Sequence, residues 1–565
     1  MILSDKRGVQ QIVVTLAGLG LREVVVCPGS RDAPLIISFN RHPDFHCTSI
    51  RDERSAAFFA LGKSIESGQP VALVCTSGSA ALNFSPGIVE AYYQRIPLIV
   101  LTADRPKEWT DQGDGQTINQ TDIFRNFIRK SYELKGEANT QTDIWFNNRC
   151  LSEGYNMAVS SNKGPVHFNI PLHEPLYKTA EFCDEISQRV FVEEVPEKRL
   201  SKQQLADLIT SFLQAEKVMI LAGQHPKSKA LEEELIKMAA LDNVVVLTES
   251  TSNLHHPLFV ENIDRCITGM EQEQAKELLP ELLITIGGAV VSKRIKKILR
   301  EHRPKLHWNI HPFEATMDTY QSLTNAIPME PVPFFHQFRN HLSGVPSGYR
   351  QKWQQLKKEK ERRHNAFCDI TGYSDFKVFQ KIYACLPADI HLHVANSSPV
   401  RYAQLFDNSK VTDTWCNRGT SGIDGCGSTA VGAATASPEK DFLFITGDVA
   451  FQYDNNALWG NPEVQNLKII VLNNGGGGIF RIIEGPNNVQ ERKEFLETAM
   501  DSNAGELAAH YHWSYLSVDK EAELEEILIT FFSKEMRRTI LEIFTNPEKN
   551  PVVLEKYWKF LNNKK

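Results

Sequence analysis

The chain has 565 residues, 42% hydrophobic and 23% charged, with a formal net charge of -7, a composition ordinary for a soluble globular protein of three or four domains of about 150 residues. The mild acidity and the absence of a long basic run argue against a nucleic-acid binder, and apolar stretches far below the ~20 residues of a membrane span argue against a transmembrane protein. Ten cysteines without a CxxC pair give no zinc or thioredoxin-like pattern, and with no signal-like apolar run near the start they fit free thiols in a reducing cytoplasm, the expected location.

In chain order, Glu23 to Cys27 reads as a strand, followed by a Pro-Gly turn and a helix from Ala33 to Phe39. His46 to Ile50 is strand-like and Ser55 to Gly62 helix-like. Val71 to Cys75 is a clear strand, Ser79 to Tyr93 a helix, Pro97 to Thr102 a third strand, and Gly164 to Pro171 the last strand of this unit. Continuous β-branched runs separated by helices predict a parallel sheet covered on both faces. The charged stretch Phe191 to Lys202 reads as a linker.

A second α/β unit follows, with strands at Val218 to Leu221, Val244 to Leu247 and Leu282 to Ile286. Gly348 to His364, rich in Lys and Arg, reads as a solvated helix or linker. A third unit carries strands near Ile390 to Val394, Phe442 to Thr446 and Lys468 to Leu472. The fold class expected is α/β, three doubly wound parallel-sheet domains, at 1–185, 196–345 and 370–565. The first and third have the features to share a fold. The basic end Asn562-Asn563-Lys564-Lys565 reads as solvated.

The third unit holds the most informative spacing. The strand ending at Thr446 runs into Gly447-Asp448-Val449-Ala450, and the next ends at Asn473-Asn474-Gly475-Gly476, with Asn473 twenty-five residues after Asp448. With a helix-like Asn455 to Trp459 between them, the two strands form one βαβ crossover. Ligands of open α/β sheets bind beyond the carboxyl ends of strands, so both motifs face one edge. Asp448, the Asn474 side-chain oxygen and a glycine-turn carbonyl are hard oxygen ligands of the kind magnesium takes, one carboxylate sufficing when a phosphate brings its own charge. Backbone N–H groups around Gly447 can approach that phosphate. Gly-Asp alone is a common turn, and Asn-Gly alone is hairpin chemistry; their pairing at two strand ends turns the reading to a ligand site. Two other glycine patterns fail. Gly62-Lys63-Ser64 lies in a helical segment, and Gly425-Cys426-Gly427-Ser428-Thr429-Ala430 has no acidic residue at a following strand end, as ribose recognition requires.

The paired motif resembles that of thiamine-diphosphate enzymes, departing from it by Val449 where many members carry glycine. Cys27-Pro28-Gly29-Ser30-Arg31-Asp32-Ala33-Pro34-Leu35, Asp52-Glu53-Arg54-Ser55-Ala56, Leu101 to Pro106, Gln116-Thr117-Ile118, Asn417-Arg418-Gly419, Ser421 to Gly425 and Gly477-Gly478-Ile479-Phe480 are more specific. In this order they resemble the 2-succinyl-5-enolpyruvyl-6-hydroxy-3-cyclohexene-1-carboxylate synthase family and span all but the last eighty or so residues. Asp32-Ala33 stands where a Ser-Thr pair is more usual, and Gly475 where a third Asn is common.

The resemblance implies an enzyme of menaquinone biosynthesis that decarboxylates 2-oxoglutarate on thiamine diphosphate and adds the succinyl-semialdehyde unit to isochorismate by 1,4-addition. It implies Mg2+, or Mn2+, held by Asp448, Asn474 and Gly476, with Gly447, Val449, Ala450, Ser421, Ile423, Ile479 and Phe480 also around the cofactor. Glu53 would pair with the aminopyrimidine nitrogen, although on its own a glutamate opening a helix reads as a helix-dipole residue. The units 1–185 and 370–565 would be the pyrimidine-binding and diphosphate-binding domains, and the active site would lie at the subunit interface of a homodimer or homotetramer. Arg31, Arg105, Gln116, Lys293 and Arg294 would face isochorismate, Arg401 and Arg418 the succinyl carboxylates, and Ser30 and Ser397 would donate hydrogen bonds. Four substrate carboxylates suit this many arginines, which pair with carboxylates bidentately. The rivals are an acetolactate-synthase-like enzyme acting on pyruvate and a non-catalytic dinucleotide-binding protein.

Overall fold

The computed structural model describes residues 1–160, 163–182, 189–342, 344–459, 464–483, 485–486, 489–500 and 502–562. Part of the crossover segment (460–463) and the last three residues of the basic tail (563–565) therefore lie outside the described residues. The fold is α/β, built on three parallel sheets. A short antiparallel ribbon pairs β1 (Ile2–Ser4) with β8 (Thr179–Glu181).

The first sheet contains β2 (Glu23–Val26), β3 (His46–Ser49), β4 (Val71–Cys75), β5 (Leu98–Asp104), β6 (Ser131–Glu133) and β7 (Val166–Pro171), in the order β3-β2-β4-β5-β7-β6. β7, the last of these six strands in chain order as expected, lies inside the sheet, between β5 and β6. The helix expected as one piece from Ser79 breaks at Phe84 into Ser79–Asn83 and Ser85–Gln94, because Pro86 has no N–H to continue the first helix and suits the opening turn of a second. The helix after β3 begins at Glu53 rather than Ser55, running Glu53–Ser67 with Asp52 as its N-cap.

The second sheet contains β9 (Val218–Ala222), β10 (Val244–Leu247), β11 (Leu282–Ile286), β12 (Leu306–Ile310) and β13 (Asn325–Ile327), in the order β10-β9-β11-β12-β13. Alternate residues of β9 feed two cores: Val218, Ile220 and Ala222 one, Met219 and Leu221 the other. Period-two alternation between two covered faces is why the strand is apolar throughout. The segment expected to be solvated is the amphipathic helix Tyr349–Ile370, which buries Tyr349, Trp353, Leu356, Lys360, His364 and Phe367. Their helical spacing lies hidden among the charges.

The third sheet contains β14 (Ile390–Val394), β15 (Val411–Trp415), β16 (Phe442–Gly447), β17 (Leu467–Asn473), β18 (Ser514–Val518) and β19 (Thr539–Phe544), in the order β15-β14-β16-β17-β19-β18. Numbered within each sheet, the first and third share the order 2-1-3-4-6-5. Between β16 and β17 the helix is Asp448–Tyr453, starting directly after the strand, while the expected Asn455 to Trp459 is a 3-10 turn, Asn455–Leu458.

The chain divides into two compact units, one of Met1–Pro196, Asn417–Asp441 and Ala450–Leu467, the other of Glu197–Cys416, Phe442–Val449 and Lys468–Lys565. No helix among the described residues is long and apolar enough to cross a membrane. The nine described cysteines are free thiols.

Candidate active site

Of the expected site residues, Ser30, Arg31, Glu53, Arg105, Gln116, Arg418, Ser421, Ile423 and Ala450 belong to the first unit. Lys293, Arg294, Ser397, Arg401, Gly447, Asp448, Val449, Asn474, Gly476, Ile479 and Phe480 belong to the second.

In the second unit, Asp448 is a buried carboxylate that accepts from three backbone N–H groups: Oδ1 from Val449 at 2.8 Å, Oδ2 from Asn474 at 3.1 Å and Gly476 at 2.7 Å. One carboxylate thus joins the end of β16 to the turn after β17. Burial raises its pKa, and the three N–H groups oppose that. Asn474 donates Nδ2 to Asp375 Oδ2 at 3.0 Å, which fixes the amide so that Oδ1, buried and without a hydrogen-bond partner, is left as an acceptor. An orphaned buried oxygen calls for an unseen partner. Gly476 sits at φ +92°, where a Cβ would lie 1.6 Å from the Thr498 carbonyl oxygen, so only glycine can carry its carbonyl there. A Cβ on Gly447 would meet open space, leaving backbone exposed at the strand end. This donor set, all oxygen with a single ligand carboxylate, fits a hard divalent cation that shares a diphosphate. Ile479 and Phe480 follow in the short helix Ile479–Ile482, half-buried.

Sequence reasoning missed two carboxylates here. Asp375 is fully enclosed and pushed up to about 6 by burial, with hydrogen bonds from Thr545, Asn474 and Asn550 opposing. Glu542 accepts from Asn473 Nδ2 at 2.7 Å, Tyr515 OH at 2.7 Å and Ala504 N at 2.8 Å, fixing the first asparagine of the pair. Arg294 and Arg401 both act electrostatically on half-buried Asp264. Arg294 also lies over the Trp558 ring at 4.3 Å and donates to Thr268 Oγ1 at 3.2 Å, while Lys293 is exposed at the start of the helix Lys293–Glu301. Ser397, after β14, holds φ +78°, a conformation that costs energy in a non-glycine residue and is found at functional turns.

In the first unit, Glu53 opens its helix half-buried, beside the end of β3. That helix lies backbone to backbone against the helix Cys426–Ala436. A Cβ on Gly62 would lie 2.0 Å from Thr429 O, and one on Gly432 2.1 Å from Phe59 O. A Cβ on Gly425 would lie 2.0 Å from the Phe58 ring, so glycines of both rejected patterns serve helix packing, with Lys63 paired to Glu23 at 2.5 Å. The loop before the second helix carries Arg418, Ser421 (φ +63°) and Ile423. It is tied down by buried Glu90, another residue missed from sequence, which accepts from Gly419 N at 2.8 Å and from Thr420 N and Oγ1 at 2.7 and 2.6 Å.

Arg31 and Arg105 converge. Arg31 is 5% exposed and donates Nη1 to Leu172 O at 2.8 Å and Nη2 to Glu174 at 3.3 Å. Arg105 pairs with Asp114 at 3.2 Å and reaches Glu174 at 3.9 Å. Neighbouring Asp104 does not pair with the Arg105 guanidinium; its carboxylate takes the Arg105 backbone N–H and Asn169 Nδ2. Burial, and then the Arg105 charge, lower the pKa of Arg31, and Arg105 Nε is buried without a partner. Ser30 and Gln116 are exposed, Gln116 at φ +54°.

The family model described as the N-terminal TPP binding domain of thiamine pyrophosphate enzymes matches residues 6–123, and the C-terminal TPP binding domain matches 397–543. Relatives described as 2-succinyl-5-enolpyruvyl-6-hydroxy-3-cyclohexene-1-carboxylate synthase are 41% identical in Flavobacterium johnsoniae and 42% in Flavobacterium psychrophilum, each over 98% of both chains. One in Porphyromonas gingivalis is 39% identical over 99% of this chain and 98% of its own. The chain belongs to the 2-succinyl-5-enolpyruvyl-6-hydroxy-3-cyclohexene-1-carboxylate synthase family. It is a thiamine-diphosphate enzyme, and the two matched regions fall on the parts of the chain that carry its first and third sheets.

Proposed function

We infer that the chain joins 2-oxoglutarate to isochorismate, with loss of carbon dioxide, to give 2-succinyl-5-enolpyruvyl-6-hydroxy-3-cyclohexene-1-carboxylate, a step of menaquinone biosynthesis in the cytoplasm. Family membership over the whole chain supports the reaction. The observation that carries the substrate reading is the convergence of Arg31 and Arg105, two guanidiniums whose mutual repulsion a carboxylate-bearing substrate relieves.

Asp448, Asn474 Oδ1 and the Gly476 carbonyl would hold Mg2+ or Mn2+, and the backbone from Gly447 to Ala450 would face the diphosphate. Thiamine diphosphate, when bound, supplies the thiazolium carbon at which a 2-oxoacid can lose carbon dioxide and pass on its remaining acyl unit. Glu53 holds a proton against the aminopyrimidine nitrogen. Ser421 and Ile423 in one unit, and Ile479 and Phe480 in the other, would each contribute to holding the cofactor, as the family resemblance implies. Arg31, Arg105, Gln116, Lys293 and Arg294 orient isochorismate. Arg401 and Arg418 hold the succinyl carboxylates, with Ser30 and Ser397 as hydrogen-bond donors. The assembly is a homodimer or homotetramer in which Glu53 of one subunit serves the diphosphate site of another. The domains are 1–185, 196–345 and 370–565.

Incubation with both substrates, thiamine diphosphate and Mg2+ tests this. The adduct should appear by mass spectrometry, and turnover of pyruvate without turnover of 2-oxoglutarate would replace the reading with an acetolactate-synthase-like one.

A further inference from the structure

The loop that follows β10, residues 248–253, is polar throughout and yet buried, with no residue more than 4% exposed. The hydroxyls of Thr248, Ser250 and Thr251 are buried without a hydrogen-bond partner. Burying polar groups costs free energy, so apolar packing does not account for this segment. Its hydrogen bonds do, because they run to two turns of the second unit that lead into the proposed substrate-binding cations.

The first tie is Glu249. One of its carboxylate oxygens accepts from Val291 N at 2.6 Å and the other from Ser292 N at 2.7 Å. Ser292 is the N-cap of the helix Lys293–Glu301; its Oγ accepts from Ile295 N at 3.1 Å and donates to Asp264. A single buried carboxylate therefore fixes the two residues that lead into Lys293 and Arg294, and it uses both oxygens to do so. The second tie starts one residue later. Ser250 N donates to Gln404 Oε1 at 3.1 Å, and Gln404 is the C-cap of the helix Ser398–Ala403, which follows Ser397 and carries Arg401. Asn262 Nδ2 holds the same turn through the carbonyls of Gln404 at 2.8 Å and Phe406 at 3.2 Å. All of these residues belong to the second unit.

We propose that this loop is a joint that sets the separation of the two cationic groups, with Glu249 as the positioning residue for Lys293 and Arg294, and Gln404 as the positioning residue for Ser397 and Arg401. The placement rests on the reading given above, in which the first group orients isochorismate and the second holds the succinyl unit. Each positioning residue acts through the backbone of a turn, so neither contributes charge to a substrate. Joining two substrates requires their reacting atoms to meet at about 3–3.5 Å, and a misplacement of about 1 Å can cost about 10²-fold in rate. A carboxylate with two acceptor oxygens suits the first tie, since a glutamine amide has one acceptor oxygen and would turn N–H toward the other backbone N–H. The two ties use different side chains, so each can be loosened alone.

Steady-state kinetics of the enzyme loaded with thiamine diphosphate and Mg2+, with each substrate titrated in turn, is the experiment. Glu249→Gln should raise the KM for isochorismate by about 10–100-fold. Its KM for 2-oxoglutarate, and its decarboxylation of 2-oxoglutarate without isochorismate, should stay close to wild type. Glu249→Asp, which keeps two acceptor oxygens, should restore part of the loss. Gln404→Leu should give the reverse split, raising the KM for 2-oxoglutarate and leaving that for isochorismate nearly unchanged. A loop that only stabilises the fold would lower the melting temperature and the active fraction in both variants with both KM values unmoved, and that result overturns the joint, as does an equal rise of both KM values. Either variant alone can return the overturning result, so the test survives if the other does not fold. Arg294→Ala separates the joint from the reading beneath it. A raised isochorismate KM in Arg294→Ala with none in Glu249→Gln overturns the joint alone, whereas an unmoved KM in Arg294→Ala removes isochorismate from these cations and overturns the reading itself.

Discussion

The first and third sheets have the same strand order, 2-1-3-4-6-5, and their loops do opposite work. The third sheet places Asp448 after its third strand and Asn474 after its fourth, giving an oxygen-rich niche to which the proposed function assigns a cation and a diphosphate. The first sheet places Glu53 after its second strand and Arg31 after its first, residues that the proposed function assigns to the cofactor's aminopyrimidine and to a substrate carboxylate. A shared scaffold therefore says little about chemistry; the side chains at the strand ends decide it.

The most drastic way to break this contrast is Glu53→Gln. Turnover should fall by ~10²–10⁴-fold, the scale of general acid–base catalysis, while calorimetry finds thiamine diphosphate and Mg2+ still bound. Loss of cofactor binding would mean that the first sheet shares the third sheet's task. Arg105→Ala sharpens the cationic half. The KM for isochorismate should rise by about 10–100-fold, the worth of a hydrogen bond to a charged group, with the KM for 2-oxoglutarate little changed; equal rises in both would refute the assignment.

A smaller effect concerns stability. Each sheet buries a neutral imidazole, His167 in β7 pushed down to about 3 and His393 in β14 pushed down to about 4, chiefly by burial. Below the ordinary value of 6.5 the unfolded chain takes up a proton that native His167 refuses. Stability is therefore lost as pH falls from 6.5, by up to about 1.4 kcal/mol per pH unit for each such histidine. His167→Gln should be less stable than wild type at pH 7, and melting curves should bring the two closer by pH 5; parallel curves would contradict this. The mildest change is Glu174→Gln. Glu174 is an exposed carboxylate, 71% accessible, laid against Arg31 and Arg105, where under the proposed function a substrate carboxylate would replace it. Exposed ion pairs are worth about 0–1 kcal/mol, so the isochorismate KM should drop by at most about fivefold in steady-state assays.

The parts of this molecule legible in the sequence were those written locally. β-branched runs marked most strands, and Gly447-Asp448 with Asn473-Asn474 marked two strand ends whose adjacency follows from a single crossover. The positioning carboxylates were not legible, because they act across the chain: Asp375 holds Asn474 at a separation of 99 residues, Glu542 holds Asn473 at 69, and Glu90 holds Gly419 at 329. A faint sign existed for Glu90, a lone acid between the apolar positions Ile88 and Ala91 of its helix. In Tyr349–Ile370 the charges masked a helical stripe at Trp353, Leu356, Lys360, His364 and Phe367. The convergence of Arg31 with Arg105 could be read from family resemblance, but the choice of Glu174 and Asp114 over Asp104 as their partners depends on how the loop folds back.

The division of labour between the two sheets is tested most directly by complementation. Chains carrying Glu53→Gln and chains carrying Asp448→Asn should each be inactive alone. In a homodimer whose sites take Glu53 from one subunit and Asp448 from the other, each mixed dimer rebuilds one intact site. Equimolar co-refolding should then recover up to about a quarter of wild-type activity. No recovery from a mixture that demonstrably contains mixed dimers would contradict the account.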